Sequence, residues 1–247
     1  MKQEKVYIYG RHALKEALLY SPQVIDRVFL SEKQDDKKLR NTIKNAGILL
    51  SPLGSDKKGI SDSAVHQGVI ARISLNKLVM PYENFIKNFK INSDTSVLIL
   101  GEIQDPHNVG AIIRSAVAFG VSAVLIPQHN QAHITGAVVK VSAGMVFKIP
   151  LVEIGNINNV IRNLKNKGFW IYGLEGKAKQ NISDESFDKP TVFILGNEAR
   201  GIREKTRELC DVLISIPMNS KCESLNVATS TAVTLFAWSQ QHPQSLK

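Results

Sequence analysis

Beyond residue 95 the chain alternates unbroken apolar runs with stretches of helical apolar periodicity. SVLIL (96–100), AVLIP (123–127), FWIYGL (169–174), TVFIL (191–195) and VLISIP (212–217) lack polar alternation, as strands covered on both faces do. Between them the spacing predicts helices near 109–119, 134–142, 157–167, 201–209 and 225–240. Strands and helices in turn predict an α/β fold, a mostly parallel sheet with helices on both faces. Residues 1–75 read as a smaller α/β unit, with helices near 11–20 and 35–46 and strands at 27–30 and 47–51. HQGVIARISL (66–75) closes that unit as a strand. Pro81 and several Asn and Lys make 76–94 a linker with room for one short helix, leaving 95–247 as the larger domain.

Sheets of this kind bind ligands beyond the carboxyl ends of their strands. Three polar, glycine-bearing stretches fall there: GEIQDPHN, GNEARG and IPMNSKCESLN. GNEARG has the two-glycine spacing of a phosphate loop, but Ile202-Arg203 replaces the Lys-Ser/Thr that would hold terminal phosphates and magnesium. No GxGxxG follows a strand, no histidine spacing suits a metal, and no GxSxG elbow is present. What remains is amides, one carboxylate and one arginine. Gly196 and Gly201 let backbone approach a ligand closely. Ile216, Met218 and Leu225 supply apolar walls, so the site suits a small amphipathic cofactor with a flat ring.

Arg114 is the only formal charge between Pro106 and Val139. It reads either as a functional cation or as an ion-pair partner of Asp105. Asn108 reads as a cap of the helix that follows, Glu198 as a loop carboxylate, and Ser224 and Asn226 as cap and first-turn residues of the last helix.

The net charge of +9 lies mostly in residues 1–75, which carry +5 against +3 for 95–247. Such an excess attracts phosphate backbones. There is no apolar run of membrane-spanning length, and the charged start lacks the apolar core of a signal peptide. Cys210 and Cys222 fit neither a disulfide framework nor a zinc site, so a reducing cytoplasm is the expected setting.

DPHNVGAIIRSAVAFG (105–120), LGNEARGI (195–202) and IPMNSKCESLNVA (216–228) resemble, in order, motifs 1, 2 and 3 of the SpoU (TrmH-type) RNA ribose 2′-O-methyltransferases. YGRHALKEAL (9–18) and VHQGVIA (65–71) resemble the RNA-binding domain preceding the catalytic domain in the RlmB-like branch. The resemblance implies a C-terminal trefoil knot, S-adenosylmethionine as methyl donor, no metal, and a homodimer with active sites near the interface. It implies catalytic roles for Arg114, Asn108, Glu198, Ser224 and Asn226, with Asn108 holding Arg114. Cofactor contacts fall on Leu195, Gly196, Ile216, Met218 and Leu225, and RNA contacts on Arg11, His12, His66 and Gln67. The substrate it implies is a guanosine of 23S rRNA. A tRNA ribose methyltransferase, whose usual architecture lacks the first block, and a non-catalytic RNA-binding or ribosome-assembly protein are the alternatives. Two departures stand out: Asn219-Ser220-Lys221, where the family usually has a glycine, and NVATST in place of NVSVA.

Overall fold

The first block begins with a strand. The computed structural model, which describes residues 5–31, 36–54 and 67–247, places β1 at Lys5–Tyr9, α1 at Arg11–Tyr20, β2 at Ile25–Leu30 and α2 at Lys37–Asn45. β3 (Leu49–Pro52) and β4 (Val69–Ser74) complete a sheet of order β1-β4-β2-β3. Side chains alternate across a strand. Val28 and Leu30 of β2 with Val69, Ala71 and Ile73 of β4 are therefore buried in one core with Ala13, Leu14 and Ala17 of α1 and Leu39 and Ile43 of α2. β1 is not among the expected strands, because KVYIY adjoins a charged start that reads as amphipathic helix.

The segment expected as a linker is built into the second sheet. After α3 (Leu75–Leu78), β5 (Val79–Pro81) pairs in parallel with β8 (Leu151–Ile154), and α4 (Tyr82–Asn88) follows. Pro81 is tolerated because β5 is the edge strand. β8 itself escapes the sequence pattern, since Glu153 interrupts its short apolar run.

The remaining elements are β6 (Ser96–Ile99), α5 (Pro106–Ala118), β7 (Ala123–Pro127), α6 (Gly136–Val141), α7 (Ile157–Asn166), β9 (Trp170–Leu174), β10 (Gln180–Asn181), β11 (Thr191–Ile194), α8 (Glu204–Arg207), β12 (Val212–Ser215) and α9 (Val227–Gln241). All pairings among the eight strands are parallel, in the order β10-β12-β9-β11-β6-β7-β8-β5. The central strands β6, β7 and β11 bury both faces, while the edge strands β5 and β10 stay partly exposed. Leu98, Val124, Leu151 and Phe193 pack with α5, α6 and α9, while Val97, Leu125, Val152 and Val192 pack with α4 and α7. The helix expected over 201–209 shrinks to one turn. Gly201 is tied back to Asn197, and Asp211 is drawn to β9 through its amide, 2.8 Å from the Ile171 carbonyl.

The tail sets the topology. β12 lies beside β9, with β11 between β9 and β6, yet α9 packs on α5, which follows β6. Residues 216–226 therefore cross the carboxyl ends of β9 and β11. This crossing makes the trefoil-knotted arrangement, against the general rule that chains do not thread. His242 pins the end: its ring nitrogens lie 2.9 Å from Asp94 Oδ1 and 2.9 Å from the Phe187 carbonyl, and it stacks on Trp238.

The two blocks share one core, in which Leu14 and Ala17 are continuous with Ile113, Val138 and Phe147. Ser21 Oγ donates to the Phe147 carbonyl at 3.0 Å, and Lys148 pairs with Glu16 at 2.9 Å. Gly136, the first residue of α6, lies so close to β1 that a Cβ there would collide with the Tyr7 carbonyl oxygen. Gly136→Ala must separate β1 from α6. It is expected to cost about 1–3 kcal/mol and to lower the melting temperature by several degrees; an unchanged melting curve would contradict the close packing.

Candidate active site

The loop after β6 enters α5 through Asp105 and Pro106. Asp105 Oδ1 accepts from the His107 amide at 2.8 Å, and Pro106 occupies the first turn, where its missing N–H is no loss. Asp105 is thus the cap, and Asn108, read from sequence as a possible cap, keeps its side chain for other partners. Glu102 holds φ +65°, a left-handed conformation that costs a non-glycine residue roughly 1 kcal/mol or more. Two contacts with the loop after β11 keep it there. Asn197 Nδ2 donates to its carbonyl at 2.9 Å, and Arg203 grips its carboxylate through Nε at 3.1 Å and Nη2 at 2.9 Å.

After β11 the chain turns at Gly196. No larger residue fits, because a Cβ would stand 2.5 Å from the Gly201 carbonyl carbon and 2.6 Å from the Ile202 nitrogen. Asn197 and Gly201 exchange backbone hydrogen bonds of 3.0 and 2.9 Å, and Asn197 Oδ1 accepts from the amides of Ala199 and Arg200. This turn holds Glu198 over the start of α5, where a carboxylate is favoured by the amino-terminal dipole. Its oxygens accept from the Gln104 amide at 3.3 Å, the Asp105 amide at 3.4 Å and Asn108 Nδ2 at 3.1 Å.

The third loop closes the circuit. Asn226 caps α9, its Oδ1 accepting from the Ala228 amide at 2.8 Å and the Thr229 amide at 3.4 Å, while its Nδ2 donates to Asn108 Oδ1 at 3.0 Å. Asn108 therefore accepts from Asn226 and donates to Glu198. One residue joins all three motifs.

These loops and the end of β9 enclose a cavity of about 320 Å³. Leu195, Gly196, Glu198, Ile216, Met218, Ser224, Leu225 and Asn226, all named from sequence, line it. Asn108 stands behind the wall. Arg114 does not line the cavity; it is exposed on α5, with no hydrogen bond or ion pair among the described residues. The expected grip of Asn108 on Arg114 is absent; the Asn108 amide is turned instead to Glu198 and Asn226. Sequence reasoning passed over Leu174, Glu175 and Gly176, which complete the cavity. The strand-end rule points to them, since they close the apolar run of β9. Glu175 is held by Arg207, with Nε at 2.7 Å, and that contact raises the arginine further above its usual range.

In the first block, the bond from the Gly10 amide to the Val69 carbonyl, 3.0 Å, sets the start of α1 beside the start of β4. Arg11, 3.5 Å from Asp36, the exposed His12 and Gln67 consequently share one edge of the small sheet. His66 lies outside the described residues.

Cys210 is a free, half-buried cysteine. Burial first, and the neighbouring Asp211 next, push its thiol up to about 12, so it is protonated at neutral pH. Among the described residues no cluster of His, Cys, Asp and Glu could hold a metal ion, and no helix is long and apolar enough to cross a membrane.

A parallel sheet with its tail crossing the carboxyl ends, and a partly apolar cavity at that crossing, define a class of protein that comparison then names. Residues 95–236 match the SpoU rRNA methylase family, and residues 7–78 match the substrate-binding domain of RNA 2′-O ribose methyltransferases. The chain belongs to the SpoU rRNA methylase family. It is 37% identical over 237 residues to the 23S rRNA (guanosine-2′-O-)-methyltransferase RlmB of Haemophilus influenzae, covering 93% of this chain and 95% of that one. The Escherichia coli K12 enzyme of the same name is 35% identical over 236 residues, covering 93% and 96%. Among solved structures, the SpoU methyltransferase AviRb from Streptomyces viridochromogenes in complex with AdoMet superimposes with a TM-score of 0.80 at 21% identity, covering 97% of this chain and 91% of that one.

Two substitutions separate the jobs of Asn226. Asn226→Ala removes the α9 cap as well as the link to Asn108, and is expected to cost about 1 kcal/mol in stability. Asn226→Asp keeps an acceptor for the cap but loses the donor to Asn108. It should melt within a degree or two of the parent, yet transfer methyl groups at least about tenfold more slowly by misplacing the loops. Retained activity in the aspartate variant would show that the link to Asn108 is dispensable.

Proposed function

We propose that this chain transfers a methyl group from S-adenosylmethionine to a ribose 2′-hydroxyl of RNA, and that the ribose belongs to a guanosine of 23S rRNA. The observation carrying this reading is the cavity closed by three strand-end turns through Glu198, Asn108 and Asn226. The cavity suits the methyl donor. Leu195, Ile216, Met218, Leu225 and Val227 offer apolar walls to a flat ring, and Glu175, Asn197, Ser224 and Ser230 offer polar groups to a sugar and an amino acid. When bound, the cofactor supplies an electrophilic methyl on a sulfonium, chemistry that requires no metal. The curated relatives named for a 23S rRNA guanosine match nearly end to end, which supports the substrate.

The chain's own residues position and stabilise. Asn108 and Asn226 fix the spacing between the first and third loops, and Glu198, committed to amides and Asn108, orients rather than takes the proton. Arg114 is the group free to act. A guanidinium grips a phosphate with two parallel hydrogen bonds and stabilises the negative charge that develops on the 2′-oxygen. Arginine keeps its proton in proteins, so the role assigned is electrostatic.

The working unit in this reading is a homodimer. Arg114 does not line its own cavity, and the outer face of α5 and α9 leaves Phe236 51% and Val233 37% exposed, with Phe119 edge-on to Phe236. An apolar face of this kind beside a free cation fits a second copy that buries the patch and brings an arginine to the neighbouring cavity. In the first block, Arg11, His12 and Gln67 are assigned to RNA contact. Truncation at residue 75 would strip the shared core, so point substitutions on that edge are the proper test.

Arg114→Ala is expected to lower methyl transfer to unmodified 23S rRNA by about 100-fold or more. Calorimetric affinity for S-adenosylmethionine should stay within about threefold, as expected for a group outside the cofactor pocket. A matching loss of cofactor affinity would move Arg114 into that pocket.

A further inference from the structure

Two exposed cations within the second and third motifs, Arg200 and Lys221, have been given no role and do not line the cavity. Each sits on a tight turn pinned by an asparagine. In the loop after β11, Asn197 Oδ1 accepts from the amides of Ala199 and Arg200 at 3.0 and 3.1 Å. In the loop after β12, Asn219 Oδ1 accepts from the Lys221 amide at 3.0 Å, and the Asn219 carbonyl accepts from the Cys222 amide at 2.9 Å. This second turn is where the family usually has a glycine. Ser220 and Lys221 fit because neither takes a positive φ; the asparagine side chain supplies the closure, as Asx turns do.

Both turns open on the same cavity. Gly196, Asn197, Glu198 and Gly201 flank Arg200 and line it, as do Met218 and Ser224 on either side of Lys221. Arg200 and Lys221 are exposed, with no acidic partner among the described residues. The carboxylates nearby leave them alone: Glu198 is engaged by Asn108 and loop amides, Glu175 by Arg207, and Glu223 makes no ion pair. Such turns limit the entropy lost when a side chain closes on a ligand.

We propose that Arg200 and Lys221 form a phosphate clamp at the cavity mouth, gripping the RNA backbone on either side of the nucleotide to be methylated. Lys221 is then a substrate-positioning residue, carried on the Asn219-Ser220-Lys221 turn where this chain departs from the family's usual pattern. The proposal rests on the methyltransferase reading and adds the RNA contact nearest the reacting sugar.

The test uses the full chain, unmodified 23S rRNA transcript and labelled S-adenosylmethionine. A parent protein that transfers no methyl group would defeat the methyltransferase reading before any variant is compared. With an active parent, Arg200→Ala and Lys221→Ala should each raise the KM for RNA about 3- to 10-fold, and lower the slope of log KM against log salt by about one per lost phosphate contact. Cofactor affinity and kcat should change less than about twofold, the pattern of lost uniform binding. Lys221→Arg should restore the parental KM. Lys167→Ala, at the far end of α7 by the amino end of β9, should leave KM and salt slope unchanged. An unaltered KM and slope in the first two variants, or equal loss in the Lys167 control, would overturn the clamp. A fall in cofactor affinity that parallels the loss of RNA binding would overturn it too, by assigning the turns to the cofactor pocket.

Discussion

The site depends on a single primary amide. Asn108 offers both a donor group and an acceptor oxygen, and the structure uses the first for Glu198 after β11 and the second for Asn226 at the cap of α9. An aspartate there would lose the donor, and a leucine would lose both bonds. Because Asn226 also satisfies two amides of α9, the helix closing the knot and the loop bearing Glu198 are coupled through α5. Loops are ordinarily the mobile part of an α/β protein. Here a few hydrogen bonds make three of them one wall.

Packing prepares that arrangement. The parallel sheet brings the carboxyl ends of β6, β9, β11 and β12 to one edge, and the return of the tail to α5 makes the third loop cross the other two. Gly196 lets the turn after β11 fold back against Gly201, and Arg203 with Asn197 holds Glu102 in its left-handed conformation. The first block is no loose appendage, since its helices share the core of α5 and α6.

Much of this was legible in the sequence because burial leaves a plain signature. The five apolar runs each became a strand, and eight of the ten residues named for catalysis and cofactor binding line the cavity. What escaped was set by tertiary pairing. β5 and β10 are too short to show a period and exist because a neighbour pairs with them, and β8 is broken by Glu153. From sequence, Asn108 reads as the cap of α5 and Asp105 as an ion-pair partner of Arg114. In the structure Asp105 is the cap and Asn108 turns to Glu198, because both residue types can cap a helix and only the tertiary partner decides between them. The expected pairing of Asn108 with Arg114 is absent: the amide is turned to Glu198 and Asn226, while Arg114 is exposed on α5.

The coupling of the loops is open to direct measurement. A double-mutant cycle with Glu198→Ala and Asn226→Ala, read out by calorimetric affinity for S-adenosylmethionine, reports whether two cavity-lining residues that both bond Asn108 but not each other act as a unit. The account predicts that the second substitution costs much less once the first is made, with a coupling of about 1 kcal/mol or more. Additive losses, agreeing within about 0.3–0.5 kcal/mol, would mean that the three loops are held separately and would contradict it.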